Sequence, residues 1–180
     1  MLSHRSLIAS LATATIAASA TADVTLSFTN QTWPGYNFTQ YYGDIVQIGL
    51  TGSLTAVSVN AVLNASVAFT YADDLCVYLD VGSLTTGGAL QVGGFGNLIG
   101  TGGGQRYPWP NGGDDAPGTP VTGTVTLTTP IAFTGNPTAT GDNNVWVGNG
   151  YGASGTSGTF TGTITLVGVN SSWTYACNPA

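Results

Sequence analysis

From Val57 to Phe69 every odd-numbered residue is apolar, and most of the even-numbered ones are Ser or Asn. A period of two sends alternate side chains to opposite faces of an extended chain. The stretch therefore predicts one long half-buried β-strand, or two abutting ones, with Val57, Val59, Ala61, Leu63, Ala65, Val67 and Phe69 on the apolar, inward face. Asp73 and Asp74 interrupt the pattern, and a second alternating run begins with Leu75, Val77 and Leu79. A core-facing helix would need apolar residues three and four apart, and no window after the first residues carries such a stripe.

Shorter runs repeat the theme. Val24, Leu26 and Phe28 alternate with hydroxyl residues, and Ile45 to Leu50 predicts a strand ended by a Gly52-Ser53 turn. Further strands are predicted over Leu90 to Phe95, Val121 to Thr129, Val145 to Val147 and Phe160 to Val169. Between them, Gly100 to Gly118 holds Pro108, Pro110 and Pro117 among many glycines, which predicts one long surface loop. Many short strands punctuated by Gly and Pro predict an all-β, single-domain antiparallel β-sandwich or jelly roll.

The first residues follow a different logic. His4 and Arg5 make a basic start, Leu7 to Ala18 is apolar, and Ala20-Thr21-Ala22 has the small-x-small form of a cleavage site. Ala18-Ser19-Ala20 is an alternative cut. The run is too short and too rich in Thr to span a bilayer, which takes roughly 20 apolar residues. Residues 1–22 are thus expected to be a signal peptide and residues 23–180 a secreted domain without a membrane span. The alanine-rich signal points to bacterial export.

Residues 23–180 contain eight Asp, one cation (Arg106), and no Lys, Glu or His. The formal charge of about −7 leaves no basic groove for phosphates, so nucleic acid is excluded as a partner and anionic membranes are disfavoured. Without histidine, neither a Ser-His-Asp nor a Cys-His arrangement exists, and a zinc site of the His type is equally out of reach. General acid–base work would fall to Asp, Tyr or a free thiol; an Asp-dependent hydrolase is the residual catalytic reading and a non-enzyme the expected one.

Two constellations remain. Asp73, Asp74 and Asp80 bracket the Leu75–Leu79 run and are candidate calcium ligands, as are Asp114 and Asp115 with Asn111, and Asp142 with Asn143 and Asn144. Aspartates also favour turns, because they bond their own backbone. Trp33, Tyr36, Phe38, Tyr41 and Tyr42 crowd one segment, and Tyr107 and Trp109 another. Exposed, Trp33, Tyr36, Tyr107 and Trp109 would suit stacking on a saccharide; buried, the same rings would plug the ends of a sandwich, the reading favoured here. Asn30, Asn37, Asn64 and Asn170 each begin an Asn-x-Ser/Thr sequon, which matters only in a eukaryotic host.

The segment Tyr71-Ala-Asp-Asp-Leu75 leading into Val77-Tyr-Leu79 resembles the Asp-Leu strand of the P (Homo B) domain that accompanies subtilisin-like proprotein convertases. Val145-Trp-Val-Gly-Asn-Gly150, Gly155-Thr-Ser-Gly-Thr-Phe160 and Gly162-Thr-Ile-Thr-Leu166 are similar to that family's ending, and the likeness spans about Leu54 to Gly168. The turn after the Asp-Leu strand departs from the family, reading Asp80-Val-Gly-Ser-Leu-Thr-Thr-Gly87, and Thr161-Gly162 stand where the family carries Trp. The resemblance implies a galactose-binding-like jelly roll of eight strands, a non-catalytic accessory role toward an extracellular protein or glycan, and a structural calcium ion.

Cys76 and Cys177 are the only cysteines, and in an exported chain two thiols are expected to pair. Closing so long a loop would stabilise the fold by up to ~4–5 kcal/mol. Intact-mass measurement should accordingly show a gain of about 2 Da on reduction, the two hydrogens that opening one disulfide adds; an unchanged mass would mean no such bond.

Overall fold

The computed structural model describes residues 23–35, 43–46, 50–80, 89–94, 104–134, 144–151 and 155–171. Among these described residues nine strands follow in order: β1 (Val24–Pro34), β2 (Gly43–Val46), β3 (Leu50–Val67), β4 (Leu75–Asp80), β5 (Leu90–Val92), β6 (Gln105–Tyr107), β7 (Pro120–Thr134), β8 (Asn144–Asn149) and β9 (Ser157–Ser171). A single 3-10 turn, Ala72–Asp74, joins β3 to β4. One sheet runs β1-β9-β3-β7 and the other β2-β8-β4-β5-β6. The protein is thus an all-β two-sheet sandwich. Among the described residues no helix is long and apolar enough to cross a membrane.

One hydrophobic core joins the sheets. The first contributes Leu26, Phe28, Trp33, Val57, Val59, Leu63, Phe160, Ile164 and Leu166; the second contributes Leu75, Val77, Leu79, Leu90, Val92, Val145 and Val147. The abundant Thr and Ser sit on the first sheet's other face, where hydroxyls meet across strands: Thr25 Oγ1 with Thr165 Oγ1 at 3.0 Å, Thr32 with Thr159 at 2.8 Å, and Ser58 Oγ with Thr124 Oγ1 at 2.8 Å. Thr suits such a face because its branched carbon favours the extended backbone while its oxygen stays polar.

Several expectations are corrected. The sandwich is not wholly antiparallel, because β5 and β6 pair in parallel. β6 lies inside the segment expected to be a plain loop: Gln105 and Tyr107 alternate with Arg106, and that short extended run is enough to add a strand at the sheet edge. Gly52 and Ser53 do not end a strand. β3 continues through them, with Gly52 paired to both Phe133 and Val169. Leu50 starts β3, while residues 47–49 lie outside the described set. In β4 both faces are covered, since Cys76 and Tyr78 are as buried as Leu75, Val77 and Leu79.

The largest correction concerns side-chain parity. Val57, Val59, Ala61 and Leu63 are buried as predicted, but Ala65, Val67 and Phe69 are exposed. Between Leu63, opposite Phe160, and Ala65, opposite Thr159, β3 holds one extra residue, Asn64. Such a bulge exchanges the two faces for everything beyond it. β1 carries a matching bulge: Phe28 opposes Gly162 and Gln31 opposes Phe160, so two residues stand against Thr161. There parity passes from the even residues Leu26 and Phe28 to the odd residue Trp33, which turns into the core.

One polar node holds both bulges against the strand between them. Asn30 N–H donates to Thr161 Oγ1 at 2.8 Å, and Asn64 Nδ2 donates to Asn30 Oδ1 at 2.8 Å and to Thr161 Oγ1 at 2.7 Å. Asn30 itself has φ 50°, a left-handed backbone that Asn tolerates better than most residues. The node sits beside Gly162, where a Cβ would meet Asn60 O at 2.3 Å and Ala61 Cα at 2.4 Å, so only glycine lets β9 lie this close to β3.

Asn64→Ala should therefore lower stability by about 1–3 kcal/mol, because it removes two hydrogen bonds, each contributing ~0.5–1.5 kcal/mol net, that hold the two bulges together. Ser58→Ala, which breaks one peripheral hydroxyl pair, should cost clearly less. Urea denaturation of both variants checks the ranking.

Candidate functional site

The segment between β3 and β4 is where three of the six aspartates singled out from the sequence meet: Asp73, Asp74 and, through its backbone, Asp114. Tyr71 to Asp74 closes on itself: Tyr71 N–H donates to Asp74 Oδ2 at 2.8 Å, and Asp74 N–H to Tyr71 O at 3.1 Å. Outward from this turn, backbone bonds reach three other segments. Ala72 N–H donates to Asp114 O and Asp73 N–H to Gly112 O, both at 3.0 Å, while Asp73 O accepts from Gly94 N–H at 2.8 Å and Asp74 O from Gly150 N–H at 2.7 Å. The indole N–H of Trp109 completes the set, donating to Leu75 O at 2.6 Å. Gly93 makes room for that indole; a Cβ there would lie 2.2 Å from both Leu75 O and Trp109 Nε1.

Asp74, Asp114 and Trp109 are thus neighbours, but as a joint and not as a pocket. Trp109 is buried, and Trp33 packs edge-on against Phe28 with ring centroids 5.2 Å apart. Neither indole offers a face to solvent, because each spends its area on packing, the use expected of rings that cap a sandwich. Tyr107 directs its hydroxyl to β7, accepting from Thr128 N–H at 2.6 Å and donating to Gln105 Oε1 at 2.9 Å. Asn111 likewise grips β7 through Thr122, at 2.8 and 3.0 Å. Asp114 Oδ1 accepts from Ala116 N–H at 3.0 Å, a local turn bond.

Tyr36, Asp142, Asn143 and Cys177 lie outside the described residues, as do residues 1–22, the expected signal peptide. The Cys76–Cys177 pairing falls outside with them; Cys76 itself is buried in β4. Asp80 ends β4, its backbone opposite Asn144.

Burial sets the electrostatics of the joint. Asp74 is pushed up to about 7, first because its charged form is deprived of solvent and also by the Asp73 charge, while the bond from Tyr71 N–H pulls the other way. Burial also raises Asp73, against a lowering backbone hydrogen bond. Calcium prefers several ionised oxygens around one point. Among the described residues no group of three His, Cys, Asp or Glu side chains gathers for a metal, and Asp74 turns its carboxyl onto its own turn. Of the Asp73–Asp74–Asp80 set, Asp73 and Asp74 stand together in this turn, and the side chain of Asp80 lies outside the described residues.

Two surface features were not singled out from the sequence. A cleft of about 300 Å³ opens beside the joint, lined by Gln91, Gly93, Gly94, Arg106, Tyr107 and Pro108. The other is a group of exposed apolar side chains just before the joint: Val67, Phe69 and Tyr71, with Phe69 at 67 % exposure. No period-two count could have found the second, because the Asn64 bulge inverts the count at Val67 and the left-handed turn at Ala68 and Phe69 ends the strand. Comparison of the chain with protein-family models, curated proteins and solved structures gives no match.

Because Asp74 holds its proton in the folded state up to about pH 7, and gives it up near the ordinary carboxylate value of 3.8 when unfolded, the fold binds more protons between those limits. Its stabilising share is complete below the unfolded value and is lost as pH rises through 7. Stability should fall by roughly 2–4 kcal/mol between pH 4 and pH 8, at ~1.4 kcal/mol for each pH unit that separates the folded from the unfolded value. Asp74→Asn keeps an acceptor for Tyr71 N–H and should flatten this slope, raising stability at pH 8. Denaturation midpoints across that range test it, and an unchanged slope in the variant would refute it.

Proposed function

We propose that the chain is an exported, non-catalytic jelly-roll module of P-domain-like build that works by association with an extracellular protein or glycan. The strand order carries this reading. With the short β6 set aside, β1 pairs with β9, β2 with β8, β3 with β7 and β4 with β5, each antiparallel. These nested pairs are what a single double-stranded ribbon yields when it is rolled into two facing sheets, as in an eight-stranded jelly roll. The resemblance over Leu54 to Gly168 runs from the early part of β3 to the late part of β9.

A binding or structural role also suits how the acidic residues are used. Asp74 and Asp114 direct carboxylate oxygens to backbone N–H groups of their own turns. Hydrolysis by paired carboxylates requires two of them facing a shared substrate space, one able to release a proton and the other ionised. Among the described residues, the cleft beside the joint is lined by an arginine and a glutamine and by no carboxylate.

The purified chain should show no turnover of glycoside, peptide or ester substrates. Turnover that disappears in a single Asp→Asn variant, with the fold intact, would overturn this reading in favour of an Asp-dependent hydrolase.

A further inference from the structure

Resting on the reading of the chain as an association module, we propose that Val67, Phe69 and Tyr71 form a rigid apolar docking patch that seats in an apolar cleft edged by lysine or arginine on a partner protein. The bulge at Asn64 turns Val67 outward at the end of β3, and the left-handed turn at Ala68 and Phe69 follows, leaving Val67 at 51 %, Phe69 at 67 % and Tyr71 at 40 % exposure. Large apolar side chains gathered at a solvent-facing turn mark interaction surfaces more often than single scattered ones do.

The backbone beneath the patch is strained and held. Ala68 and Phe69 are consecutive left-handed residues, at φ 55° and 64°, and neither is the Gly or Asn that this conformation favours. Such conformers persist when their surroundings over-determine them, and they cluster at functional sites. Here the support is visible. Ser66 Oγ donates to Thr70 O at 2.8 Å, Thr70 Oγ1 to Val67 O at 3.2 Å, and Asn149 Nδ2 to Thr70 Oγ1 at 3.4 Å, with Thr70 and Asn149 both fully buried. The ring of Phe69 is thus presented from a braced turn, and a partner that receives it has little ordering cost to overcome.

Charge selects the occupant. Asp73 stands two residues after Tyr71, and the bond from Ala72 N–H to the Asp114 carbonyl brings Asp114, with Asp115 next in sequence, to the same turn. An apolar centre with an acidic rim complements an apolar cleft with a basic rim. An anionic bilayer would repel the same rim, and a second copy of this chain would bring a like rim against it.

The test uses two labelled peptides and fluorescence anisotropy with the purified chain. One peptide alternates Leu and Lys, the other Leu and Glu. The Leu/Lys peptide should bind and the Leu/Glu peptide should not. Affinity should drop about tenfold or more in Phe69→Asn, a loss typical of a central aromatic anchor. Asn tolerates the left-handed backbone, so this variant is expected to melt no lower than the parent. Asp114→Asn with Asp115→Asn should weaken binding several-fold and reduce its salt dependence. Absence of Leu/Lys binding overturns the proposal, as does equal binding of both peptides or binding unchanged by Phe69→Asn. So does Phe69-dependent sedimentation with phosphatidylcholine vesicles, which would assign the patch to lipid, or Phe69-dependent self-association, which would assign it to a second copy. Each of these leaves the association reading standing, since only catalytic turnover removes that.

Discussion

The hydrogen-bonded node of Asn30, Asn64 and Thr161 decides which side chains the first sheet sends inward. Beside this node each neighbour of β9 carries one extra residue against it, at Thr161 on the β1 side and between Phe160 and Thr159 on the β3 side. An added residue in a strand reverses its faces. The same small cluster therefore draws Trp33 into the core from one flank and expels Val67 and Phe69 from the other. Two amide side chains and a hydroxyl, modest in energy one by one, determine the fate of two of the largest rings in the domain. Asn30 and Asn64 also begin sequons, yet here their amides are committed to the sheet.

Much of the architecture was legible because alternation is a direct image of burial. Val57 to Leu63, Leu75 to Leu79 and Phe160 to Leu166 announce inward faces, and the strands form where those runs lie. What stayed hidden depended on partners distant in sequence. Asn64 looks like one more polar even position, and its role becomes visible only when Asn30 and Thr161 are beside it. Arg106, between two residues of β6, reads as loop because Gly and Pro surround it, yet three residues suffice when β5 supplies the ladder. Trp109 is indistinguishable in sequence from an exposed ring; what buries it is the carbonyl of Leu75 waiting for its N–H.

The acidic joint shows a similar economy. Asp73, Asp74 and Asp114 look like metal ligands in sequence, but main-chain amides take up their carbonyls or carboxyls. Buried polar groups must find partners, and here those partners tie the β3–β4 turn to Gly94, to Gly112 and to Gly150. A carboxyl enclosed this way favours its neutral form, so burial itself sets the sign of the pH dependence expected of the joint.

The outer strands of the first sheet have one more implication. Sheets usually discourage unwanted edge-to-edge pairing with lysine, and this chain has none. β1 and β7 occupy the two margins. β1 is interrupted by its bulge and closed by Pro34; β7 begins at Pro120 and carries Pro130 where its register with β3 shifts. Proline offers no amide hydrogen, and a bulge breaks the even spacing that an incoming strand would have to match. Resistance to fibril-like stacking is thereby written into backbone shape, which no change of ionic strength can screen away.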